Sequence, residues 1–289
     1  MKHRKQSMNL FYLPALALML LFVAYPFYEA VRLSFFSWNG YSPEQSFVGI
    51  TNYLRMLGDE NFRLAFRNTL FYGFGCAFLQ NVFALAFALL LNTKFRGHCA
   101  VRTVIYLPVM ISGLIMGYII SFFVQFRGGV FNEILAWLQM SPIDWMADGR
   151  RGVWIIMLVN SWQYVGISMI IYIAGLQNIP TVYYEAASID GASVLARFRS
   201  ITLPLIIPAM STAVIQNIIG SLKLYDVIVS LSEGGPGFST HSLSTYISNQ
   251  YFKAQNAGYS AAVGIFTFVF ILVVSIFFTK YFTKREVEL

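Results

Sequence analysis

Six stretches of the chain are apolar on every side and long enough to cross a bilayer: Leu10–Tyr28, Thr69–Leu91, Val104–Phe126, Val153–Leu176, Leu203–Leu222 and Tyr259–Phe278. A spanning helix needs about 20 mostly apolar residues, whereas a helix packed on a soluble core shows one apolar stripe with a period of about 3.6 residues. None of the runs alternates like a barrel strand. The pattern therefore predicts an all-α membrane protein with six transmembrane helices. Lys2, Arg4 and Lys5 precede the first run, as in a secretion signal. That run is longer than the roughly 7–15 residues of a signal core and no small-residue cleavage site follows, so it is expected to remain as an uncleaved span.

The polar segments between the runs are unequal. Residues 32–67 carry Trp38, Asn39-Gly40 and Ser42-Pro43; residues 127–152 carry Gly128-Gly129, Ser141-Pro142, Asp144, Trp145 and Asp148; residues 223–258 carry Gly234-Gly235-Pro236-Gly237. Gly and Pro in such clusters stop helices and start turns. Loops of this length are commonly functional, which leaves an external docking surface and poorly ordered connectors as two readings.

Composition sharpens the class. Of 289 residues, 57% are hydrophobic and 11% charged, against about 25% charged in soluble domains. This excludes a cytosolic globular enzyme, and disorder with it. Cys76 and Cys99 form no disulfide framework, and His3, His98 and His241 form no metal cluster with them. The net charge of +7 raises nucleic acid as a partner, but the charges are not gathered on one soluble face. Their distribution is an orientation signal instead. With the N-terminus inside, the segments 1–9, 92–103, 177–202 and 279–289 carry Lys2, Arg4, Lys5, Lys94, Arg96, Arg102, Arg197, Arg199, Lys280, Lys284 and Arg285. These eleven bases meet four acids (Glu185, Asp190, Glu286 and Glu288), while nine bases meet nine acids elsewhere. The whole surplus thus falls on the side of both termini, facing anionic headgroups. The expected division is a cytoplasmic N-terminus at 1–9, a six-helix domain at 10–278 that includes a cytoplasmic loop at 177–204, and a cytoplasmic C-terminus at 279–289.

Catalytic motifs are missing. There is no Gly-Lys pair, hence no G-x-x-x-x-G-K-[ST] phosphate loop, and no G-x-S-x-G or H-E-x-x-H. Glu133 reads as a solvated loop residue. Full charges are nearly absent from the six apolar runs, Glu29 at the end of the first being the partial exception. Ion-coupled transporters usually carry acids, histidines or arginines there as relays, so energy for any transport is expected from outside the chain.

The stretch Ile179 to Pro208 is too polar to span yet reads as structured. Pro180-Thr181 offers a helix start, with Thr181 as a cap and Glu185 near the positive end of the dipole. Ala186 and Ala187 permit close approach, and Gly191 suits the left-handed position after a helix. A second helix, Val194–Ile201, carries Arg197 and Arg199 before Pro204 opens the next span. Such a hairpin suits docking into a partner's groove; an ordinary interfacial loop is the alternative.

Glu185-Ala186-Ala187, three residues, Gly191, nine residues, then Ile201-x-Leu203-Pro204 matches the EAA signature of binding-protein-dependent ABC importer permeases. The resemblance extends along the chain through Tyr25-Pro26, Leu33-Ser34-Phe35, Val48-Gly49, Asn52-Tyr53, Asn68-Thr69, Arg102-Thr103, Leu107-Pro108, Ala174-Gly175-Leu176-Gln177, Ile179-Pro180 and Gly234-Gly235-Pro236. The order resembles the first permease subunit of carbohydrate importers of the maltose and glycerol-3-phosphate type. The resemblance implies a type I ABC importer permease fold, a second homologous permease sharing the path, two cytoplasmic ATPases, and an external substrate-binding protein. It implies no cofactor in this chain, ATP and Mg being bound by the ATPases. Glu185, Ala186, Ala187, Gly191, Ile201, Leu203 and Pro204 would then couple ATPase closure to rocking of the spans.

Polar residues facing a bundle interior are candidates for a substrate path. Asn160 and Tyr164 share a face of span four, continued by Ser168; Asn217, Ser221 and Tyr225 repeat the spacing in span five. Amides and hydroxyls bond a sugar's hydroxyls, and an aromatic ring covers its apolar face. The resemblance places substrate contacts on these helices, Asn160 matching best, with Lys223 and Leu224 marking where span five departs. Interhelical polar glue needs the same residue types. Trp162 and Gln163 read as either pore or packing; Gln80 and Asn81 read as helix contacts. The reading is a carbohydrate importer permease, with a glycerol-phosphate or polyol permease, a self-contained channel or secondary transporter, and a membrane anchor for an ATPase as alternatives.

Overall fold

The computed structural model describes residues 12–93 and 95–285. Leu10, at the start of the first run, and Lys2, Arg4, Lys5, Lys94, Glu286 and Glu288 lie outside the described residues. In chain order the elements are helix α1 (Leu13–Leu33), strands β1 (Phe36–Ser37) and β2 (Ser46–Phe47), then α2 (Thr51–Gly58), α3 (Glu60–Leu91), α4 (His98–Met110), α5 (Gly113–Val124) and α6 (Val130–Trp137). They continue with α7 (Gly149–Gln177), α8 (Thr181–Ile189), α9 (Val194–Leu205), α10 (Ile207–Leu222), α11 (Asp226–Leu231), α12 (Leu243–Ser248) and α13 (Ala257–Thr283).

Four predicted spans are single helices, α1, α3, α7 and α13. Each runs past its apolar run into polar flanking residues; Glu29 sits in α1, paired with Arg32 at 2.8 Å. The other two runs are broken. α4 and α5 meet at 99°, and α9 and α10 at 67°. The last turn of α4, Leu107–Met110, is a tighter helical turn containing Pro108 and ends in extended Ile111. Ser112 then restarts the helix, accepting from Ile115 N at 3.3 Å. Between α9 and α10, Pro204 and Pro208 each lack an N–H for the helical ladder. The expected span Leu203–Leu222 therefore begins at Ile207, and the expected helix Val194–Ile201 runs on to Leu205.

The long connections are ordered, not loose connectors. They hold β1, β2, α2, α6, α11 and α12. Glu133, expected in a loop, lies in the first turn of α6 and is exposed.

Two compact units divide the chain, with boundaries inside α3, α12 and α13. In Met1–Phe62 with Tyr246–Val269, β1 and β2 pair antiparallel, Phe36 opposite Phe47. Buried Asn52 donates to the carbonyls of Ser34 (2.9 Å) and Phe36 (3.0 Å), and the Tyr53 hydroxyl donates to Ser34 Oγ at 2.8 Å. Asp59 caps α3, accepting from Asn61 N and Phe62 N, and also accepts from the hydroxyls of Tyr246 (2.6 Å) and Tyr259 (2.8 Å). Burial would raise its pKa, but these four hydrogen bonds hold the carboxyl below its ordinary value.

In Arg63–Thr245 with Phe270–Leu289, Ala84 and Ala88 of α3 and Ala213 of α10 pack around Met169, Tyr172 and Ile173 of α7. A second cluster joins Tyr72 and Cys76 to Met116, Ile156, Val227 and Ile228. In lipid, helices associate through such packing, which small residues bring close, and through interhelical hydrogen bonds. α3 also holds a returning loop. Asn68 Nδ2 donates to the carbonyls of Ser239 (2.7 Å) and His241 (3.1 Å), the Tyr72 hydroxyl donates to that of Thr240 (3.0 Å), and Thr69 Oγ1 accepts from Leu243 N at 2.8 Å.

Candidate functional site: a polar cavity and a helical hairpin

Within the second unit, α3, α5, α7, α10 and the turn into α11 enclose a cavity of about 360 Å3. All five path candidates reach its wall: Asn160, Tyr164, Asn217, Ser221 and Tyr225. Asn160 and Tyr164 do so from one face of α7, and Asn217 and Ser221 from one face of α10, by their four-residue spacing. Tyr225 arrives differently from the expected continuation of span five. α10 stops at Leu222, the chain turns with Lys223 N on Gly220 O and Leu224 N on Ser221 O (both 3.2 Å), and Tyr225 projects from that turn. The turn is held by Ser242 Oγ, which donates to the Leu224 carbonyl at 2.6 Å.

Other wall residues were not legible as such. Gln80, read as a helix contact, is one and also lines the cavity. It is 2% exposed and its Nε2 donates to the Asn160 carbonyl at 3.2 Å, while its Oε1 is buried without a partner. A buried orphan acceptor is costly, and here it stands at the wall of a polar cavity. Lys223 and Asp226 also line it, with Gln216 and Gly220. Sequence assigned both charges to an external loop; the chain reversal after α10 brings them to the wall. The signal was their position within four residues of a predicted span end. With one lysine and one aspartate as its charged lining, the wall carries no net formal charge.

Ser168 does not continue this face into the cavity. It is fully buried, and Asn217 Nδ2 donates to its Oγ at 2.8 Å. The glue reading holds for this pair, although Asn217 still lines the cavity. Gln163 is packing: its Nε2 donates to the Ile111 carbonyl at 2.9 Å, fastening the bend between α4 and α5. Trp162 is 53% exposed and off the cavity. Asn81 is a helix contact, accepting from the Tyr172 hydroxyl at 2.7 Å.

The hairpin is built as its residues require, with one correction. Thr181 is not the cap of α8 but its first residue; Pro180 occupies the cap position without a side-chain bond. Gly191 has φ +71°. Its N–H donates to Ser188 O (3.2 Å) and that of Ala192 to Ala187 O (2.9 Å), the paired bonds of a Schellman ending. Ser193 caps α9, accepting from Ala196 N at 3.2 Å. The two helices are tied by Tyr184 and Thr202 hydroxyls at 2.9 Å and by Arg197 Nη1 donating to Ser188 Oγ at 3.0 Å. Glu185, Ala186, Gly191 and Leu203 are exposed; Ala187, Ile201 and Pro204 are half-buried. In the same hairpin Val182, Ile189, Val194 and Leu195 are exposed apolar side chains.

Among the described residues no cluster of His, Cys, Asp or Glu is arranged to hold a metal ion. Apolar helices, a polar cavity between them and an outlying hairpin define a multi-pass α-helical membrane transport component. Residues 80–286 match the family described as the binding-protein-dependent transport system inner membrane component, and the chain belongs to that family. It is 34% identical to the trehalose/maltose transport system permease protein MalF of Thermococcus litoralis, over 97% of this chain and 95% of that one. It is likewise 34% identical to the lactose transport system permease protein LacF of Rhizobium radiobacter, over 96% and 93%. The fold is shared with a bacterial ABC transporter that imports alginate: TM-score 0.85, 24% identity, covering 98% of this chain and 96% of that chain.

Proposed function

We propose that the chain is a permease subunit of an ATP-driven carbohydrate importer and forms half of the path for a sugar delivered by an external binding protein. The observation that carries this reading is the cavity: amides of Gln80, Asn160, Gln216 and Asn217, hydroxyls of Tyr164, Ser221 and Tyr225, and no net charge. Such a wall suits a neutral polyhydroxylated ligand, whose hydroxyls can bond the amides and hydroxyls of the wall and whose ring faces can stack on tyrosine. The relatives named above transport trehalose, maltose and lactose by their names. A glycerol phosphate fits less well, because the single lysine in the wall is balanced by Asp226.

In this reading two cytoplasmic ATPases bind ATP and Mg, and a second homologous permease completes the path. Both termini and the hairpin lie on the cytoplasmic side, as the basic excess there argues. The exposed apolar set at Val182, Ile189, Val194 and Leu195, with Glu185 and Gly191 between, meets the ATPase. The test is uptake of labelled mono-, di- and oligosaccharides by the complete complex in proteoliposomes, with ATP inside. ATP-dependent uptake that requires the binding protein and falls in Asn160→Ala supports the reading. Transport by this chain alone, without ATPase, overturns it.

A further inference from the structure

A second cavity of about 390 Å3 lies between α3 and α7, lined by Arg67, Asn68 and Phe71 from one helix, Arg150 and Trp154 from the other, and Ser239. It plays no part in the path described above. Among the described residues, neither guanidinium has an ion-pair or hydrogen-bond partner. Asp148 lies nearby, but the bond it makes is with the backbone N–H of Arg150, at 2.9 Å. Ser239 Oγ is buried and unpartnered. Two arginines without an internal partner at one cavity suit an anion with several acceptor oxygens, which guanidinium recognises well.

The rest of the wall says what carries the anion. On both helices an aromatic follows the arginine by four residues, one turn along the axis. Phe71 and Trp154 meet edge to face at 4.8 Å, and Trp154 remains 54% exposed. The cavity thus has a cationic end and, one turn deeper, an open aromatic end. Tryptophan at this level of a spanning helix is the signature of the headgroup boundary. A free phosphate gains nothing from an aromatic floor, whereas the glycerol and upper acyl segments of a phospholipid can pack on it.

We propose that this cavity binds an anionic phospholipid, its phosphate between Arg67 and Arg150 and its upper acyl segments on Phe71 and Trp154. An exposed ion pair contributes up to about 1 kcal/mol, so neutralising one arginine should weaken retention up to about fivefold and both up to about 25-fold. The experiment is native mass spectrometry of the purified chain titrated with phosphatidylglycerol, phosphatidylcholine or inorganic phosphate. The variants are Arg67→Gln, Arg150→Gln, the double variant, Arg67→Lys with Arg150→Lys, and Arg151→Gln as a neighbouring control. The expected result is saturable phosphatidylglycerol binding that phosphatidylcholine and millimolar phosphate do not displace. Binding should be lost stepwise in the glutamine variants, restored in part by the lysine pair, and kept in Arg151→Gln. Equal retention of both lipids, displacement by free phosphate, or wild-type retention by a monodisperse double variant each overturn it. So does a double variant that keeps its lipid but no longer responds to the binding protein, because the arginines would then be a protein-docking site.

Discussion

Replacing Gly191 separates backbone geometry from space at the hairpin. The residue has φ +71°, and a Cβ built there meets nothing within 4 Å. A substitution therefore costs conformation, not room, within the chain. A left-handed conformation costs an L-residue about 1–2 kcal/mol, which lowers the population of the closed turn about 5- to 30-fold. Asparagine visits this region readily, and a β-branched residue is a true outlier there. The expected order of damage is Gly191→Asn least, Gly191→Ala intermediate and Gly191→Val greatest. Hydrogen exchange at the Gly191 and Ala192 amides, whose bonds to Ser188 and Ala187 close the turn, should accelerate by the same factor in the alanine variant. ATP-driven uptake by the complete complex should fall in the same order if, as proposed above, the hairpin transmits ATPase closure in its folded form. Asparagine and valine are similar in size. If Gly191→Asn abolishes uptake as fully as Gly191→Val while exchange is unchanged, the glycine serves close approach of a partner, and the turn argument is wrong.

Further outcomes follow from the two units. Gly220 lines the main cavity and a Cβ there also meets nothing within 4 Å. At about 30 Å3 for each added carbon, taken as one water's share, Gly220→Leu fills about a third of the cavity and should sharply reduce uptake of larger sugars while leaving the unfolding temperature unchanged. Asn68→Ala removes the amide that donates to the Ser239 and His241 carbonyls, which should cost about 1–3 kcal/mol in thermal unfolding and speed exchange across 237–243. The lowered pKa of Asp59 means that its contribution to stability is complete above the ordinary carboxylate value of about 3.9 and is lost as pH falls from there through the lowered value. Acid unfolding should show this limb, and Asp59→Asn should weaken the protein at neutral pH and remove the limb.

What the residues alone determined is whatever depends on a neighbour one turn away or on contact with lipid. Apolar runs without a stripe have one stable solution in a bilayer, a helix with its backbone bonds satisfied internally, so the spans were legible. The Gly191 turn was legible too, because the left-handed position after α8 is a local steric matter. The pairs Asn160 with Tyr164 and Asn217 with Ser221 were legible as shared faces because helical spacing places them so.

Tertiary structure decided which of those faces meet, and what else joins them. Gln80 reaches the cavity because α3 packs beside α7, and its amide divides between a helix contact and an open wall. Ser168 has the right spacing but is consumed by Asn217. Lys223, Tyr225 and Asp226 enter through a chain reversal whose position is set by Ser242, 18 residues from Leu224 in sequence. The 99° and 67° breaks were invisible in hydropathy because proline and serine interrupt a helix without lowering its mean hydropathy by much. Composition and periodicity specify where a chain can leave water. Only packing, which matches side chains distant in sequence, decides where polar groups find each other inside.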